Sequence, residues 1–139
     1  MPRRILFICK FNRYRSNVAL ALFNKYNKNK KIQAKASGIV KGPPVLKKMQ
    51  KVARKFGVSL KENPKSLSEK DYAWADLVII IGRDIPSVVF SYVEGIPRKV
   101  IVWKLRDVEQ FDLNYHEKTT RLTKEIEQRI LNFLKSLGQ

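Results

Sequence analysis

The chain contains a single cysteine, Cys9, and the residues after it are suited to binding an anion. Cys9 ends the apolar run "RILFIC" at 4–9, and Arg15 and Ser16 follow where a helix-like pattern begins. A loop between a strand and a helix turns backbone N–H groups inward, and these groups and the helix dipole can hold a phosphate. Arg15 can add a two-pronged contact to two phosphate oxygens.

The same positive surroundings favour the thiolate form of Cys9, which is the nucleophilic form of the side chain. Ser16 can donate a hydrogen bond to the sulfur and assist its later expulsion. The spacing therefore predicts a site that attacks phosphorus. The alternative is a small buried residue at a strand end, as free cysteines often are. Arg15 and Ser16, placed at a strand-to-helix turn, weigh against that alternative.

Strand and helix patterns alternate along the chain, as they do in α/β folds. Apolar or alternating runs predict strands at 4–9, 31–37, 76–82 and 99–105, all buried except the edge strand 31–37. Helical spacing predicts helices at 16–27 (with Ser16 as N-cap), 45–57, 66–75, 86–93 and 115–137. This order indicates a parallel sheet covered on both faces. Its ligands are expected beyond the carboxyl ends of the strands, where Cys9 lies.

The length and composition predict one domain spanning 1–139, without repeats or linkers. A lone cysteine cannot form an intrachain disulfide, which favours a reducing compartment. No run approaches the roughly 18–20 apolar residues of a membrane span. The apolar run near the N-terminus is shorter than the roughly 7–15 residues of a signal peptide. We therefore expect an unprocessed cytoplasmic protein that does not associate with membranes.

The formal net charge is +17, from 29 Lys and Arg against 12 Asp and Glu. Such a surface attracts polyanions, including nucleic acid, acidic lipid and acidic protein. The cations are scattered rather than gathered in one arm or tail, which favours a general surface adaptation over a specific partner. No recognisable nucleic-acid motif accompanies them, so nucleic acid is an alternative partner that the sequence does not favour.

The segment "CKFNRYRS" at 9–16 resembles the phosphate loop of the low-molecular-weight protein tyrosine phosphatases and their arsenate-reductase relatives. That family carries Cys-x-Gly-Asn-x-x-Arg-Ser near its N-terminus. The likeness extends to "AKASGI" at 34–39, to 56–84, and to "VIVWKLRDV" at 100–108. It implies an α/β three-layer sandwich, in which a four-stranded parallel sheet of order 2-1-3-4 has helices on both faces.

The resemblance implies that Cys9 is the nucleophile, that Arg15 clamps the phosphate and that Asp107 is the general acid. Asp107 would protonate the leaving group and then activate water against the phosphocysteine. It follows the last strand and therefore lies at the same sheet edge as Cys9. Asp112 is the reserve candidate for this role.

The remaining site residues that the resemblance implies belong to the loop or support it. Phosphate would be bound by the loop residues Lys10, Phe11, Asn12, Arg13, Tyr14, Arg15 and Ser16. Loop support would come from Asn12, Ser16 and Ser37.

The sequence also departs from the family pattern. Phe11 stands where the family has Gly; if that position needs a left-handed backbone, either Phe11 is strained or the loop has a different shape. Val108 replaces the proline after the acid, which would leave that segment more mobile. Glu109 and Gln110 replace an aromatic pair that grips a phosphotyrosine ring. The aromatic side chains left for that task are Phe11, Tyr14 and Tyr115, and the alternative for each of them is a place in the core.

The favoured function is hydrolysis of phosphotyrosine or aryl phosphate monoesters through a cysteinyl-phosphate, without metal or cofactor. Partners would be a phosphotyrosine-containing protein or a small aryl phosphate, with inorganic phosphate as product and inhibitor. One alternative is an arsenate reductase that uses an external thiol, since the chain has no second cysteine to pass on a disulfide. Another is a weakly catalytic module that binds anions or nucleic acid on the same fold.

Overall fold

The computed structural model describes residues 2–85 and 99–139. Its strands are β1 (Arg4–Cys9), β2 (Gln33–Gly38), β3 (Leu77–Ile81) and β4 (Lys99–Trp103). Its helices are α1 (Arg15–Tyr26), α2 (Lys47–Lys55), α3 (Glu69–Trp74) and α4 (Tyr115–Ser136). Each element lies where the sequence predicts it, with ends that differ by a few residues. The helix predicted at 86–93 falls outside the described residues.

The strands form one parallel sheet in the order β2-β1-β3-β4, which confirms the predicted topology. β1 lies between β2 and β3, and in the register of β1 with β2, Cys9 is opposite Gly38. Because the strands are parallel, their carboxyl ends share one edge of the sheet. Cys9 and the segments that follow β3 and β4 therefore meet at that edge.

Side chains of β1 alternate between two separate apolar clusters, because successive residues of a strand point to opposite faces. Ile5 and Phe7 pack with side chains of α1, α2 and α4. Leu6 and Ile8 pack in the second cluster with Tyr72 of α3. Helices thus cover both faces of the sheet, as predicted.

Two local expectations are wrong. Strand β4 is not fully buried, because Val100 and Val102 are 41% and 47% exposed; an apolar run does not reveal whether both faces of its strand are covered. Ser16 is not the N-cap of α1. The helix begins at Arg15, its N-cap is Tyr14 without a side-chain capping bond, and the Ser16 hydroxyl contacts the sulfur of Cys9 instead.

Helix α4 packs along α1 and buries one apolar stripe, formed by Leu122, Ile126, Ile130 and Leu134. Charged residues occupy much of its outer surface. In the ranges 2–85 and 99–139, no helix combines the length and the apolar character needed to cross a membrane.

Candidate active site

The sulfur of Cys9 lies at the centre of a ring of hydrogen-bond donors. The Oγ of Ser16 is 3.0 Å away, and the backbone N–H groups of Asn12 and Ser16 donate to the sulfur at 3.2 and 3.4 Å. Cys9 is only 2% exposed. Since donors bond more strongly to an ionised acceptor than to a neutral one, this ring stabilises a negative charge on the sulfur.

Asn12 makes the sharp bend in the loop and also braces it. Its φ of 52° is left-handed, a conformation that Asn tolerates better than most residues. Its Nδ2 donates to Ser16 Oγ at 2.7 Å, and its Oδ1 accepts from the Lys65 backbone N at 3.0 Å. The loop is therefore fixed both internally and to the segment before α3.

The strain considered for Phe11 is absent, because the left-handed residue is Asn12 and not Phe11. The half-buried Phe11 lies close to the backbone of Gly42. A Cβ on Gly42 would come within 2.8 Å of both the Cβ and the carbonyl oxygen of Phe11. Glycine at 42 therefore allows the two backbone segments to approach closely at position 11.

Ser16 and Ser37 meet beneath the loop. Ser16 Oγ lies 3.2 Å from the Ser37 carbonyl oxygen as well as 3.0 Å from the sulfur of Cys9. A hydroxyl has one proton, so Ser16 donates either to the carbonyl or to the sulfur. The Ser37 Oγ itself is buried and has no hydrogen-bond partner among the described residues. Its backbone, rather than its side chain, makes the contact with Ser16.

Arg15 is buried and its guanidinium is held by Asp84. The Nη1 and Nη2 atoms donate to the two carboxylate oxygens at 2.9 and 3.0 Å, and Nη1 also donates to the Leu105 carbonyl at 3.2 Å. The Nε–H is buried without a partner in the described part of the chain. Gly82 permits this arrangement, because a Cβ there would lie 2.5 Å from the Arg15 Nη1.

The ion pair shifts the titration of both partners. Burial works against the charge of Arg15, but the bond to Asp84 and the nearby Cys9 and Asp107 raise its pKa overall. Burial likewise opposes ionisation of Asp84, yet the bond to Arg15 lowers the pKa of this carboxyl below its ordinary value. Both groups are therefore charged at neutral pH.

Asp107 lies on the wall of a cleft of about 790 Å³ that also contains Asp84 and the loop residues Lys10, Phe11 and Arg13. Its side chain is exposed to solvent on the cleft side, while protein atoms crowd around the carboxyl on its other sides and displace part of its water. This desolvation raises the pKa of Asp107 even though the charge of Arg15 opposes the shift. A carboxyl that holds its proton to higher pH is suited to act as a general acid.

Asp112, the reserve candidate for the general acid, forms its contacts outside the cleft. Its Oδ1 accepts from the Asn114 backbone N at 2.8 Å, and its Oδ2 pairs with Lys118 at 2.8 Å. These contacts lower the pKa of Asp112 and hold it at the start of α4. It is not among the residues that line the cleft.

Gln110 ties the Asp107 segment to the rest of the site. Its Oε1 accepts from Arg13 Nη1 at 2.9 Å, and its backbone carbonyl accepts from the Lys48 Nζ of α2. Arg13 also donates through Nε to the Pro44 carbonyl at 3.0 Å. The segment 106–114 is thus attached, at Gln110, to the phosphate loop and to α2. This attachment lies three residues after Asp107 and restrains the segment, although Val108 lacks the rigidity of a proline.

Of the three aromatic candidates for contact with a substrate ring, two are in the core. Tyr14 is 2% exposed and hydrogen-bonds to Thr123, and Tyr115 is 7% exposed. Burial raises the pKa of Tyr14, and it raises that of Tyr115 to about 12. Phe11 lines the cleft, where it is joined by Phe111, which is 87% exposed.

Sequence reasoning missed Asp84, Gln110 and Phe111. Asp84 carries a weak signal, because it follows buried β3 on the strand next to β1, and parallel neighbours end at the same edge. Gln110 and Phe111 carry no such sequence signal, because their contacts depend on the path of residues 104–114 past α2.

The fold has close counterparts among solved structures. A low-molecular-weight protein tyrosine phosphatase from T. tengcongensis superposes with a TM-score of 0.80 at 23% identity, covering 96% of this chain and 98% of that one. The YwlE arginine phosphatase of Geobacillus stearothermophilus gives 0.79 at 20% identity, with 99% and 94% covered. An arsenate reductase from Archaeoglobus fulgidus gives 0.72 at 24% identity, with 94% and 98% covered. At such identities the likeness establishes the fold alone.

No curated protein sequence matches the chain significantly. The family model described as "Low molecular weight phosphotyrosine protein phosphatase" matches residues 4–139. That range contains the Cys9 loop, the cleft carboxylates of Asp84, Asp107 and Glu109, and every strand and helix described above. The chain therefore belongs to the low-molecular-weight phosphotyrosine protein phosphatase family.

Proposed function

We propose that the chain is a single-domain phosphatase that hydrolyses phosphotyrosine or aryl phosphate monoesters through a cysteinyl-phosphate. The observation that carries the proposal is the environment of Cys9, whose sulfur receives two backbone N–H bonds beside the buried, positively charged Arg15. The Arg15 Nε–H, which has no partner among residues 2–85 and 99–139, is a further donor for a phosphate oxygen. Donors placed in advance around developing negative charge supply much of the rate enhancement in such sites.

In the first step the Cys9 thiolate attacks phosphorus, an S–P bond forms and the P–O bond to the leaving group breaks. The leaving oxygen takes the proton of Asp107. In the second step the Asp107 carboxylate removes a proton from water, the water oxygen bonds to phosphorus and the S–P bond breaks. Inorganic phosphate leaves, and the restored Cys9 thiolate accepts the hydrogen bond of Ser16.

Two alternatives are separated from this mechanism by the products they form. An arsenate reductase would consume an external thiol, because Cys9 is the only cysteine in the sequence and no internal disulfide can form. A binding module for anions or nucleic acid would hold phosphate without turnover. Asp107 favours an enzyme over a simple anion site, because a site that only binds phosphate needs no proton donor beside Arg15. It does not separate the phosphatase from the reductase, since attack of Cys9 on arsenate would use the same donor to release the departing oxygen as water.

The testing experiment measures phosphate release from nitrophenyl phosphate and from a phosphotyrosine peptide in the presence of EDTA. A parallel reaction contains arsenate and glutathione, with thiol oxidation as the readout. We expect phosphate release that Cys9→Ser abolishes, while the variant still binds vanadate through the loop amides and Arg15. Arsenate-dependent thiol oxidation without ester hydrolysis would replace the proposal with the reductase. Phosphate binding without either reaction would favour the binding module.

A further inference from the structure

All the charged residues of helix α2 are cations. Five of its nine residues are Lys or Arg, and none is Asp or Glu. Its buried side chains are Met49, Val52 and Ala53. The cations therefore lie on the remaining surface of the helix, at Lys47, Lys48, Lys51, Arg54 and Lys55.

These cations lack acidic partners within the described residues. None of the five forms an ion pair with a carboxylate there. Lys48 is engaged by the Gln110 carbonyl and Lys55 by His116. Unpaired like charges at this spacing repel one another and destabilise a helix slightly, so an acidic ligand on this face would relieve a repulsion as well as add attraction.

The cationic face begins at the active-site cleft. Leu46, Lys48 and Met49, at the start of α2, line the same cleft as Asp107. Three carboxylates, Asp84, Asp107 and Glu109, also line this region, and Arg83 and Arg106 lie beside them. A bound ester would therefore meet charges of both signs in the cleft, whereas the row of charges that leads away along α2 is entirely cationic.

We propose that α2 is a docking surface for acidic residues that flank the phosphorylated residue of a peptide or protein substrate. This inference rests on the phosphatase function proposed above and deepens it. The helix is about 13 Å long at 1.5 Å per residue, and an extended peptide covers that length in about four residues. Acidic side chains within several positions of the phosphorylated residue, on the side directed along α2, can therefore reach the cations.

A nucleic acid fits this arrangement of charges less well. Its backbone carries a charge at every nucleotide, so a strand crossing the cleft would place phosphates against Asp107 and Glu109 as well as along α2. A peptide can confine its acidic residues to one side of the phosphorylated residue. An exposed ion pair changes affinity by a factor of about two to five, so two pairs amount to about tenfold.

The test compares two phosphotyrosine peptides of equal length, one with Asp and Glu flanking residues and one with Asn and Gln in their place. The variant Lys47→Glu/Lys51→Glu reverses two cations of α2. The matched control, Lys30→Glu/Lys31→Glu, changes net charge equally in the turn before β2, at the opposite end of the sheet from Cys9. The readout is kcat/KM at low and high salt, with nitrophenyl phosphate as the common reference substrate.

We expect wild type and the control to favour the acidic peptide by about tenfold at low salt, and salt to reduce that preference. The α2 variant should lose the preference while it cleaves the amide peptide and nitrophenyl phosphate as wild type does. Equal losses in both variants would overturn the proposal, because they would reflect net charge alone. Wild type that does not distinguish the peptides would overturn it and leave the phosphatase function standing. Absence of ester hydrolysis altogether would overturn both.

A short single-stranded oligonucleotide tests the other polyanion. If the oligonucleotide inhibits weakly, and to a similar extent in the α2 variant and the control, the result supports an acidic peptide as the ligand of α2. Tight inhibition that only the α2 variant loses, without discrimination between the peptides, would assign the surface to nucleic acid and contradict the proposal.

Discussion

Both terminal nitrogens of the Arg15 guanidinium contact the carboxylate of Asp84, at 2.9 and 3.0 Å. The side chain of Arg15 is 1% exposed and that of Asp84 is 41% exposed. A buried cation is thus balanced by an anion that still faces solvent at the cleft. The pair fixes the plane of the guanidinium and leaves its Nε–H free for another acceptor.

Asp84→Asn should destabilise the protein, because it leaves the buried Arg15 charge without its anion. A charge-assisted bond contributes about 1.5–3 kcal/mol, and the partial exposure of Asp84 favours the lower end of that range. Folding lowers the pKa of Asp84. The ionised carboxylate therefore makes its full contribution to the free energy of unfolding above the ordinary carboxyl pKa, and this contribution is lost as pH falls through the lowered pKa of the folded state.

Urea unfolding of wild type and Asp84→Asn at neutral and at strongly acidic pH measures this contribution. The difference in unfolding free energy should shrink on acidification. A difference of the same size at both pH values would show that it does not come from the ionised carboxylate. Asp76→Asn, at the amino end of β3 and far from the cleft, serves as a surface comparison for the catalytic rate, which it should leave unchanged.

Arg15→Lys should be a severe change, although it keeps the positive charge. Lysine has no planar fork, so it cannot contact Asp84 through two nitrogens and also offer a third donor to phosphate. By analogy with loss of an oxyanion donor, we expect a decrease in kcat of about 100-fold or more. Arg83→Lys, at the cleft rim, is the control and should retain most activity. Near-normal turnover by Arg15→Lys would mean that the guanidinium does not hold the phosphate.

Gln110→Ala should slow cleavage of poor leaving groups more than good ones. It removes the bond from Arg13 and loosens the segment that carries Asp107, so proton transfer to the leaving oxygen becomes less efficient. Burst rates with phosphotyrosine and with nitrophenyl phosphate measure the effect. Gln110→Glu keeps an acceptor for Arg13 and should restore most of the phosphotyrosine rate. Equal slowing of both substrates would indicate a general structural defect rather than misplacement of Asp107.

Asp107→Asn should change the pH profile. Desolvation raises the pKa of Asp107, so its protonated form persists to higher pH than in an ordinary aspartate. The wild-type burst rate should fall as pH rises through this raised pKa, because the proton donor is lost. The variant has no proton to lose and should lack this fall. It should also slow phosphotyrosine cleavage more than nitrophenyl phosphate cleavage, because the nitrophenolate leaves without assistance.

Asp112→Asn is the matched control, since Asp112 is held by Asn114 and Lys118 outside the cleft. Its pH profile should follow that of wild type. If Asp107→Asn gave the wild-type burst rate on phosphotyrosine and Asp112→Asn did not, the general acid would have to be reassigned.

The strands and helices could be predicted from the sequence because their main signals are local, whereas the order of the strands in the sheet came from the family resemblance. The apolar runs at 4–9 and 76–82 end beside loops, and Met49, Val52 and Ala53 fall on one face of a helix. Burial of β4 was not accessible, since it depends on what covers each face of the strand. The helical spacing gave α2 and α4 close to their observed ends.

The site was accessible only in its local part. The contacts of Cys9 with Asn12 and Ser16 lie within one loop. The position of Ser16 suggested its contact with the sulfur, and the family resemblance pointed to Asn12. The pairing of Arg15 with Asp84 joins residues 69 positions apart, and Gln110 reaches Arg13 across 97. The sequence left open whether Phe11 is strained or the loop has another shape; the structure shows the second, because the left-handed bend lies at Asn12.

The most direct test of the cysteinyl-phosphate is to trap it. The enzyme is mixed with excess nitrophenyl phosphate and quenched in acid during the burst. It is then digested, and the masses of its peptides are measured by mass spectrometry. Slower hydrolysis of the intermediate in Asp107→Asn should increase the trapped fraction, because that variant lacks the base that activates water. The account predicts one phosphoryl group, located on the sulfur of Cys9. Turnover without any phosphoryl group on Cys9, or turnover that survives Cys9→Ser, would contradict it.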